Sequence, residues 1–270
     1  MITPTNDNKP AQQATKAPGD GYVQSFARGL TVIKTFNAQN PEQTLTEVAR
    51  AADLTRAGAR RILLTLVHLG YVENEGRLFR LTPKILDLGF AYLTSMPFWN
   101  LAEPVMEALV DKIAESTSVA VLDETEIVYV LRVPAKKIMT VSLSIGSRLP
   151  ALWTSLGRVL LSGKTNDELR LLIANTPAPE QSTARTILDP DALLAELIKV
   201  RRQGWAVVEQ ELDEGLISMA APIRDRQGRI IAAINISGNA QRRSIQEMKD
   251  GFLDLLLDAA EHISMTLLRR

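Results

Sequence analysis

The stretch from Thr44 to Leu81 leaves its backbone few options. Thr44-Leu45-Thr46-Glu47 has the form of a capping box, in which the first hydroxyl accepts a backbone N–H and the last carboxylate reaches back. Leu45, Val48 and Ala49 then recur on one side of a short helix, about 45–52. Asp53-Leu54 is a tight break, and Thr55 is placed to cap a third helix running to about Leu69. Ala59, Ile62, Leu63 and Leu66 form its apolar stripe, and Arg56, Arg60 and Arg61 fall on another face. From Tyr71 to Leu81 the pattern alternates and turns at Glu75-Gly76, which predicts a hairpin with Arg77 and Arg80 on its returning strand. Upstream, Ser25–Ala38 sets Phe26, Leu30, Ile33 and Phe36 at helical spacing, so this face is expected to pack inward.

Two short helices around a tight turn, the second opening with arginines and leading into a basic hairpin, make the winged helix-turn-helix pattern. A helix of this kind fits the major groove, where arginine forks pair with guanine or phosphate. A helical packing module with a solvated basic face would account for the arginines alone, but not for the ordered run of elements.

Charge agrees once it is read by segment. The chain has 31 basic and 31 acidic residues. Residues 22–95 hold nine basic against six acidic side chains, whereas residues 96–270 hold 20 against 23. With so small a surplus, particular arginines rather than a broad basic field should carry any affinity for DNA. The absence of cysteine excludes disulfides, thiolate metal sites and thiol nucleophiles, and two histidines, His68 and His262, leave little for zinc or triad chemistry. His68 is expected on a helix surface. No metal, cofactor or catalytic residue is expected. No apolar run is long enough for a membrane span and no signal segment opens the chain, so no membrane partner and a cytoplasmic location are expected.

The expected organisation is a disordered tail at 1–21, a DNA-binding domain at 22–82, a linker or dimerisation helix at 83–97 and an effector domain at 98–270. Thr82-Pro83 starts the linker helix. Its Ile85, Leu86, Leu88, Phe90 and Leu93, with Gly89 allowing close approach, are either core of one domain or a contact between two copies.

Beyond the linker, a helix is expected at about 98–116, followed by Val119–Leu122 and Ile127–Val133 as a hairpin around Asp123-Glu124-Thr125-Glu126. Lys137–Ile145 reads as a strand, Ser147–Trp153 as an extended loop and 155–162 as a helix. A helix capped at Asp189-Pro190, strands near 205–210, 216–223 and 230–237, and a last helix opened by the Ser244–Glu247 capping box complete the chain. A mostly antiparallel sheet with segregated helices is an α+β domain.

This part contains no Gly-x-Ser-x-Gly, His-Glu-x-x-His or Gly-x-Gly-x-x-Gly motif. Gly157–Thr165 imitates a phosphate loop, with one residue too many between its glycines. The pairs Glu209/Glu211 and Asp213/Glu214 lack an activating partner and read as solvated surface. What remains is a binding site. Thr154-Ser155-Leu156 stands at a helix start, where free N–H groups suit an anion, and Trp153 offers a flat face to an aromatic ring. A simple cap beside a core tryptophan is equally compatible with those residues. If Asp225–Gly228 is a four-residue turn with Arg224 opposite Arg229, then Ser218 faces Asn235 and Ser237 shares that sheet face. A small oxygen-bearing ligand, water or a helix cap could satisfy these polar groups.

With these residues assembled, the chain resembles the IclR family of bacterial transcription regulators from about Ser25 to its end. The most specific segments are Leu54–Leu66, Gly146-Ser147-Arg148-Leu149-Pro150 through Gly157-Arg158, Gly215-Leu216-Ile217-Ser218, and Ala233-Ile234-Asn235-Ile236-Ser237-Gly238. Ile127–Pro134 and Lys137–Leu143 look most like its PcaR/PcaU/PobR branch, regulators of aromatic-acid catabolism through the β-ketoadipate pathway. The resemblance implies a winged-helix homodimer or tetramer on double-stranded operator DNA. It also implies a GAF-like domain for a small carboxylate such as protocatechuate, 4-hydroxybenzoate or β-ketoadipate. DNA contacts would fall on Arg28, Thr44, Thr46, Thr55, Arg56, Ala57, Gly58, Arg60, Arg61 and Arg77. The backbone amides of Ser155 and Leu156 would hold the carboxylate. Arg132, Leu143, Trp153, Thr154, Val208, Ser218, Asn235 and Ser237 would complete the pocket. Val208 departs from members with an acidic residue there, which changes how a polar ligand end is held. The expected activity is ligand-controlled DNA binding without catalysis. An enzyme acting on an aromatic acid and a protein-interaction module are the alternatives.

Overall fold

The computed structural model describes residues 19, 21–95, 99–135 and 143–268. The expected tail therefore lies almost wholly outside the described residues. The chain divides into two compact units, Met1–Ala91 and Tyr92–Arg270.

In the first unit, α1 (Gln24–Lys34), β1 (Glu42–Thr44), α2 (Leu45–Ala51), α3 (Arg56–Leu69), β2 (Val72–Glu75) and β3 (Leu78–Leu81) follow in order. A turn of 3-10 helix, Pro83–Ile85, then leads into α4 (Leu86–Ser95). Both expected caps form: Thr44 and Glu47 make the capping box of α2, and the Thr55 hydroxyl accepts the Gly58 N–H that opens α3. Ala59, Leu63 and Leu66 are the buried residues of α3, and Leu63 and Leu66 pack with Val32, Phe36, Val48, Val72 and Phe79.

Three expectations need correction. The inward face of α1 is carried by Val32 with Ile33 and, beyond the helix end at Lys34, Phe36, so only the second half of the expected stripe packs inward. Phe26 and Leu30 are left 68% and 42% exposed. The hairpin turns one residue later than expected: Glu75 pairs with Leu78, Gly76 takes φ 61°, and Arg77 sits at the tip rather than on the strand. The sheet also has a third strand, β1, paired with β3, which at three residues is too short for periodicity to reveal. The buried Gln43 ties it to α1 by donating to the Thr35 carbonyl oxygen (2.9 Å).

The second unit contains α5 (Trp99–Ile113), β4 (Ser116–Asp123), β5 (Glu126–Val133), β6 (Arg148–Pro150), a 3-10 turn (Ala151–Trp153), α6 (Ser155–Leu161) and α7 (Asn166–Asn175). It continues with α8 (Pro190–Gln203), β7 (Ala206–Glu209), β8 (Leu216–Arg224), β9 (Ile230–Asn239) and α9 (Ile245–Leu268). The strands form one antiparallel sheet in the order β6-β5-β4-β9-β8-β7. One sheet face packs on α5 and α9 through Val119, Val121, Met219, Ile234 and Ile236. The other carries α6, α7 and α8 over Ala120, Ile127, Tyr129, Ala220 and Ala233. This is the α+β architecture that the hydropathy pattern predicts.

Here too boundaries and register shift. The helix expected to reach 116 ends at Ile113, where Ala114 takes φ 52° and Ser116 begins β4. The strand expected at Lys137–Ile145 falls mainly on 136–142, outside the described residues, and residues 143–145 are not strand. The extended loop of Ser147–Trp153 is instead the edge strand β6 and a 3-10 turn. α7 was not foreseen, although Thr165 and Glu168 form its capping box.

In the β8–β9 hairpin, Ser218 lies opposite Ser237, and Asn235 opposite Ala220. The Asp225 carboxylate accepts from the N–H groups of Gln227 and Arg229, Arg224 pairs with Ile230, and Ile231 bulges out, so the expected pairing slips by two residues. An even slip keeps every side chain on its face. Ser218, Asn235 and Ser237 therefore still share one.

The solvated reading of Glu209/Glu211 also fails for Glu211, which is 5% exposed and pairs with Arg158, itself 1% exposed. Glu209 pairs with Arg185, whereas Asp213 and Glu214 are exposed.

Candidate functional site

The first unit presents its basic side chains along α3 and at the hairpin tip. Arg56, Arg60 and Arg61 are exposed, and among the described residues none of their side chains has an ion-pair or hydrogen-bond partner. Arg28 on α1 and Arg77 at the tip are exposed in the same way. Thr46 and Ala57 are exposed in the first turns of α2 and α3, with Gly58 half-buried. Thr44 and Thr55 give their side-chain oxygens to the helix caps. The cap also holds the Glu47 carboxyl below its usual range, through the Thr44 N–H first and its hydroxyl second. Arg80 differs from the other arginines. Glu73 (2.6 Å), Glu42 (3.2 Å) and Glu75 (3.7 Å) surround its guanidinium, so it braces the small sheet.

In the second unit, sheet pairing brings polar residues from distant parts of the chain onto the face that carries α6. Arg132, Ser118 and Asn235 form one row across β5, β4 and β9. Ser116, Ser237, Ser218 and Val208 form the next row across β4, β9, β8 and β7. Asn235 Oδ1 accepts the Ser118 N–H (3.1 Å), and its Nδ2 donates to Ser237 Oγ (3.0 Å). Arg132 donates to Ser118 Oγ over 3.4 Å.

The first turn of α6 sits against this face, with the Ser155 and Ser218 hydroxyl oxygens 2.9 Å apart. Thr154 caps the helix by accepting from the Gly157 N–H (3.0 Å). No described residue accepts from the N–H of Ser155 or Leu156. Leu143 is half-buried beside the same core, and Val208 is buried.

Trp153 is buried and donates from Nε1 to the Ile187 carbonyl oxygen (2.7 Å), which puts it in the wall of the core. Tyr129 lies on the same sheet face, and burial pushes its phenol up to about 12, partly offset by the Arg132 charge.

An ion pair remote in sequence holds α6 in place. Arg158 Nε donates to the Leu152 carbonyl oxygen (2.9 Å), and its two terminal nitrogens meet the Glu211 carboxylate at 2.8 Å each. Glu211 also accepts the Ile187 N–H (3.2 Å). Such a bidentate pair fixes direction as well as distance. It locks the start of α6 to the chain between β7 and β8. Gly157 makes the seat possible, because a Cβ there would lie 2.1 Å from the Ala151 carbonyl oxygen.

The sequence does not single out Ser118, Tyr129 or Arg158 for a role, and it reads Glu211 as surface. Ser118 had a signal, since its period-two alternation with Ala120 marks the face, whereas the Arg158–Glu211 pairing had none. Among the described residues no group of acidic or histidine side chains could hold a metal ion, and no helix is long and apolar enough to cross a membrane.

Comparison with known proteins agrees with both halves of this description. Residues 25–76 match the IclR helix-turn-helix domain, and residues 90–265 match the C-terminal domain of bacterial IclR transcriptional regulators. The Pca regulon regulatory protein of Pseudomonas putida is 38% identical over 256 residues, 94% of this chain and 88% of the relative. The p-hydroxybenzoate hydroxylase transcriptional activator of Acinetobacter baylyi is 32% identical over 249 residues, 90% of this chain and 92% of that one. Among solved structures, a protein of Rhodococcus sp. RHA1 described as a transcriptional regulator has a TM-score of 0.82 at 49% identity, covering 91% of this chain and 98% of its own. An IclR homologue from Microbacterium hydrocarbonoxydans, solved with 4-hydroxybenzoate, has a TM-score of 0.79 at 25% identity, with 90% and 98% covered. The winged arrangement, the antiparallel effector-type domain and these matches together make the chain a member of the IclR family of DNA-binding transcriptional regulators.

Proposed function

We propose that the protein binds operator DNA under the control of a small carboxylate, an aromatic acid or an intermediate of the β-ketoadipate pathway. The carrying observation is the polar patch on an otherwise apolar sheet face, directly under the start of α6. Arg132 supplies positive charge, and the Ser155 and Leu156 amides supply donors to a carboxylate. Ser218, Asn235 and Ser237 meet the ligand's other oxygens, with Trp153, Thr154, Leu143 and Val208 shaping the walls. The regulators of Pca and p-hydroxybenzoate genes among its relatives, and the 4-hydroxybenzoate held by a structural neighbour, favour an aromatic acid.

On the DNA side, Arg56, Ala57, Gly58, Arg60 and Arg61 enter the major groove, with Thr55 at the helix start. Arg28, Thr44, Thr46 and Arg77 contact the flanking backbone. Two copies joined through α1 and the linker would present paired reading heads to two half-sites; Leu86 and Leu88 on α4 are 69% and 51% exposed. Control then follows from linkage: a ligand that binds two arrangements unequally shifts DNA affinity by the difference.

Thermal unfolding with protocatechuate, 4-hydroxybenzoate and β-ketoadipate tests this reading, since a ligand of the folded state raises Tm with its concentration. At least one acid should stabilise the protein. Replacing Ser218 and Asn235 by alanine should abolish that shift and leave DNA binding intact. A response retained by the double variant would remove the patch as the site.

A further inference from the structure

At the opposite end of α6 from the polar patch is a cleft of about 730 Å³. Its walls come from the ends of α6 and α8, the β8–β9 hairpin, the end of β4 and Tyr92 of α4. Leu122, Leu160, Pro222 and Ile230 make one side apolar. The charged lining is all of one sign: Lys164, Arg201, Arg224 and Arg229, with no carboxylate among the lining residues.

Among the described residues Arg229 is the one cation of the four in an ion pair, with Asp225 at 2.6 Å. Arg201 holds itself on neutral acceptors, the carbonyl oxygens of Ser162 (2.8 Å) and Lys164 and the side chain of Asn166 (2.8 Å). Arg224 donates to the Gly228 carbonyl oxygen (2.9 Å). Among the described residues no carboxylate lies within ion-pair distance of Lys164, Arg201 or Arg224. Glu168, the acid whose carboxyl feels the Lys164 charge, is committed to the cap of α7.

Three cations without an ion pair among the described residues line one concave surface, and they focus a positive potential in the cleft. The arrangement also runs against the acidic surplus of residues 96–270. The volume falls in the range of small-molecule sites, and the mixed wall is of the kind that binds an apolar body with charged ends. A nucleic-acid backbone needs the cations and has no use for the leucine and isoleucine side.

We propose that this cleft is a second ligand site, separate from the polar patch under α6, for a small organic molecule bearing two or more negative charges. Lys164 and Arg224 engage the anionic groups, Arg201 fixes the cleft rim, and Leu160 and Ile230 pack on the carbon skeleton. Carboxylates and phosphates share the required chemistry.

Isothermal titration of the full-length protein tests the assignment with benzene-1,3,5-tricarboxylate, phenyl phosphate, inorganic phosphate and uncharged benzamide as probes. At least one organic anion should bind saturably and weaken as salt shortens the Debye length to about 8 Å. Benzamide should not bind, and inorganic phosphate should bind more weakly than phenyl phosphate. The better organic anion identifies whether carboxylate or phosphate groups are preferred. Lys164→Gln alone, at a side chain with no described hydrogen bond or ion pair to lose, should weaken binding about tenfold, as expected for one charge-assisted contact. Adding Arg224→Gln should weaken it further. Ser218→Ala with Asn235→Ala should leave it unchanged.

The assignment fails if no organic anion binds, or if the Ser218/Asn235 variant loses the binding and the Lys164 variant keeps it. It also fails if the Lys164 and Arg224 changes spare the anions but lower operator affinity, which would make the cleft a DNA contact. The serine–asparagine variant separates this outcome from the test of the effector patch, since either site can be lost without the other.

Discussion

Arginines that look alike in the sequence have different roles. Arg80 is enclosed by three carboxylates, whereas Arg56, Arg60, Arg61 and Arg77 stand in solvent without described partners. An arginine already paired must give up its carboxylates before it can bind phosphate; an unpaired one has only water to lose. Arg60→Ala should therefore weaken specific operator binding by about 1–3 kcal/mol and relax selectivity at one base pair, measured by fluorescence anisotropy across operator variants. Equal affinities for parent and variant would take Arg60 out of the interface.

Tyr129 carries a titration signature of its own. Burial raises its phenol to about 12, so the unfolded chain, with an ordinary tyrosine near 10, ionises first. The stabilisation is complete below pH 10 and is lost as pH rises toward 12. Absorbance titration at the phenolate band should show one of the four tyrosines lagging behind the rest. Tyr129→Phe should delete that late step.

Legibility from sequence varied element by element, for physical reasons. Caps were readable because their chemistry is local: Thr44, Thr55, Asp189 and Ser244 each bond within three residues. The strands around Ser218 and Asn235 were readable because alternation is local too. Their register was not, since it depends on an aspartate folding over its own turn and on the bulge at Ile231. The candidate pocket kept its three predicted side chains on one face only because the slip was even. Burial of Glu211 had no local signal at all, because its partner is 53 residues away.

The seat of α6 yields the sharpest prediction for an element. Gly157→Ala would press a methyl group onto backbone atoms of Ala151 at 2.1–2.5 Å, where no side chain can swing aside. Overpacking of this kind costs about 3 kcal/mol or more when the neighbour cannot yield. Chemical denaturation should show the loss, with ligand response falling alongside it because Ser155 moves with the helix. Unchanged stability would mean that α6 can lift from the 3-10 turn at little cost.

For the molecule as a whole, a neutral total charge conceals two unlike parts, and the second part carries both proposed anion sites. The polar patch and the basic cleft sit at opposite ends of α6, so a ligand at either could bias that helix. The first unit raises a different point. Its core is small, while Phe26, Leu30, Leu86 and Leu88 remain in water. If those side chains pair between copies, as proposed, Tm should rise with protein concentration in a dilution series, because association adds stability by mass action. A Tm independent of concentration would argue for a stable lone protomer.

The exposed side chains of α1 and α4 also bear on how much protein a cell must make. If two copies pair as proposed, each reading head resists proteolysis only above a certain copy number. Scarce protein would be cleared faster than abundant protein, and abundance itself would then help to set how sharply the regulator responds.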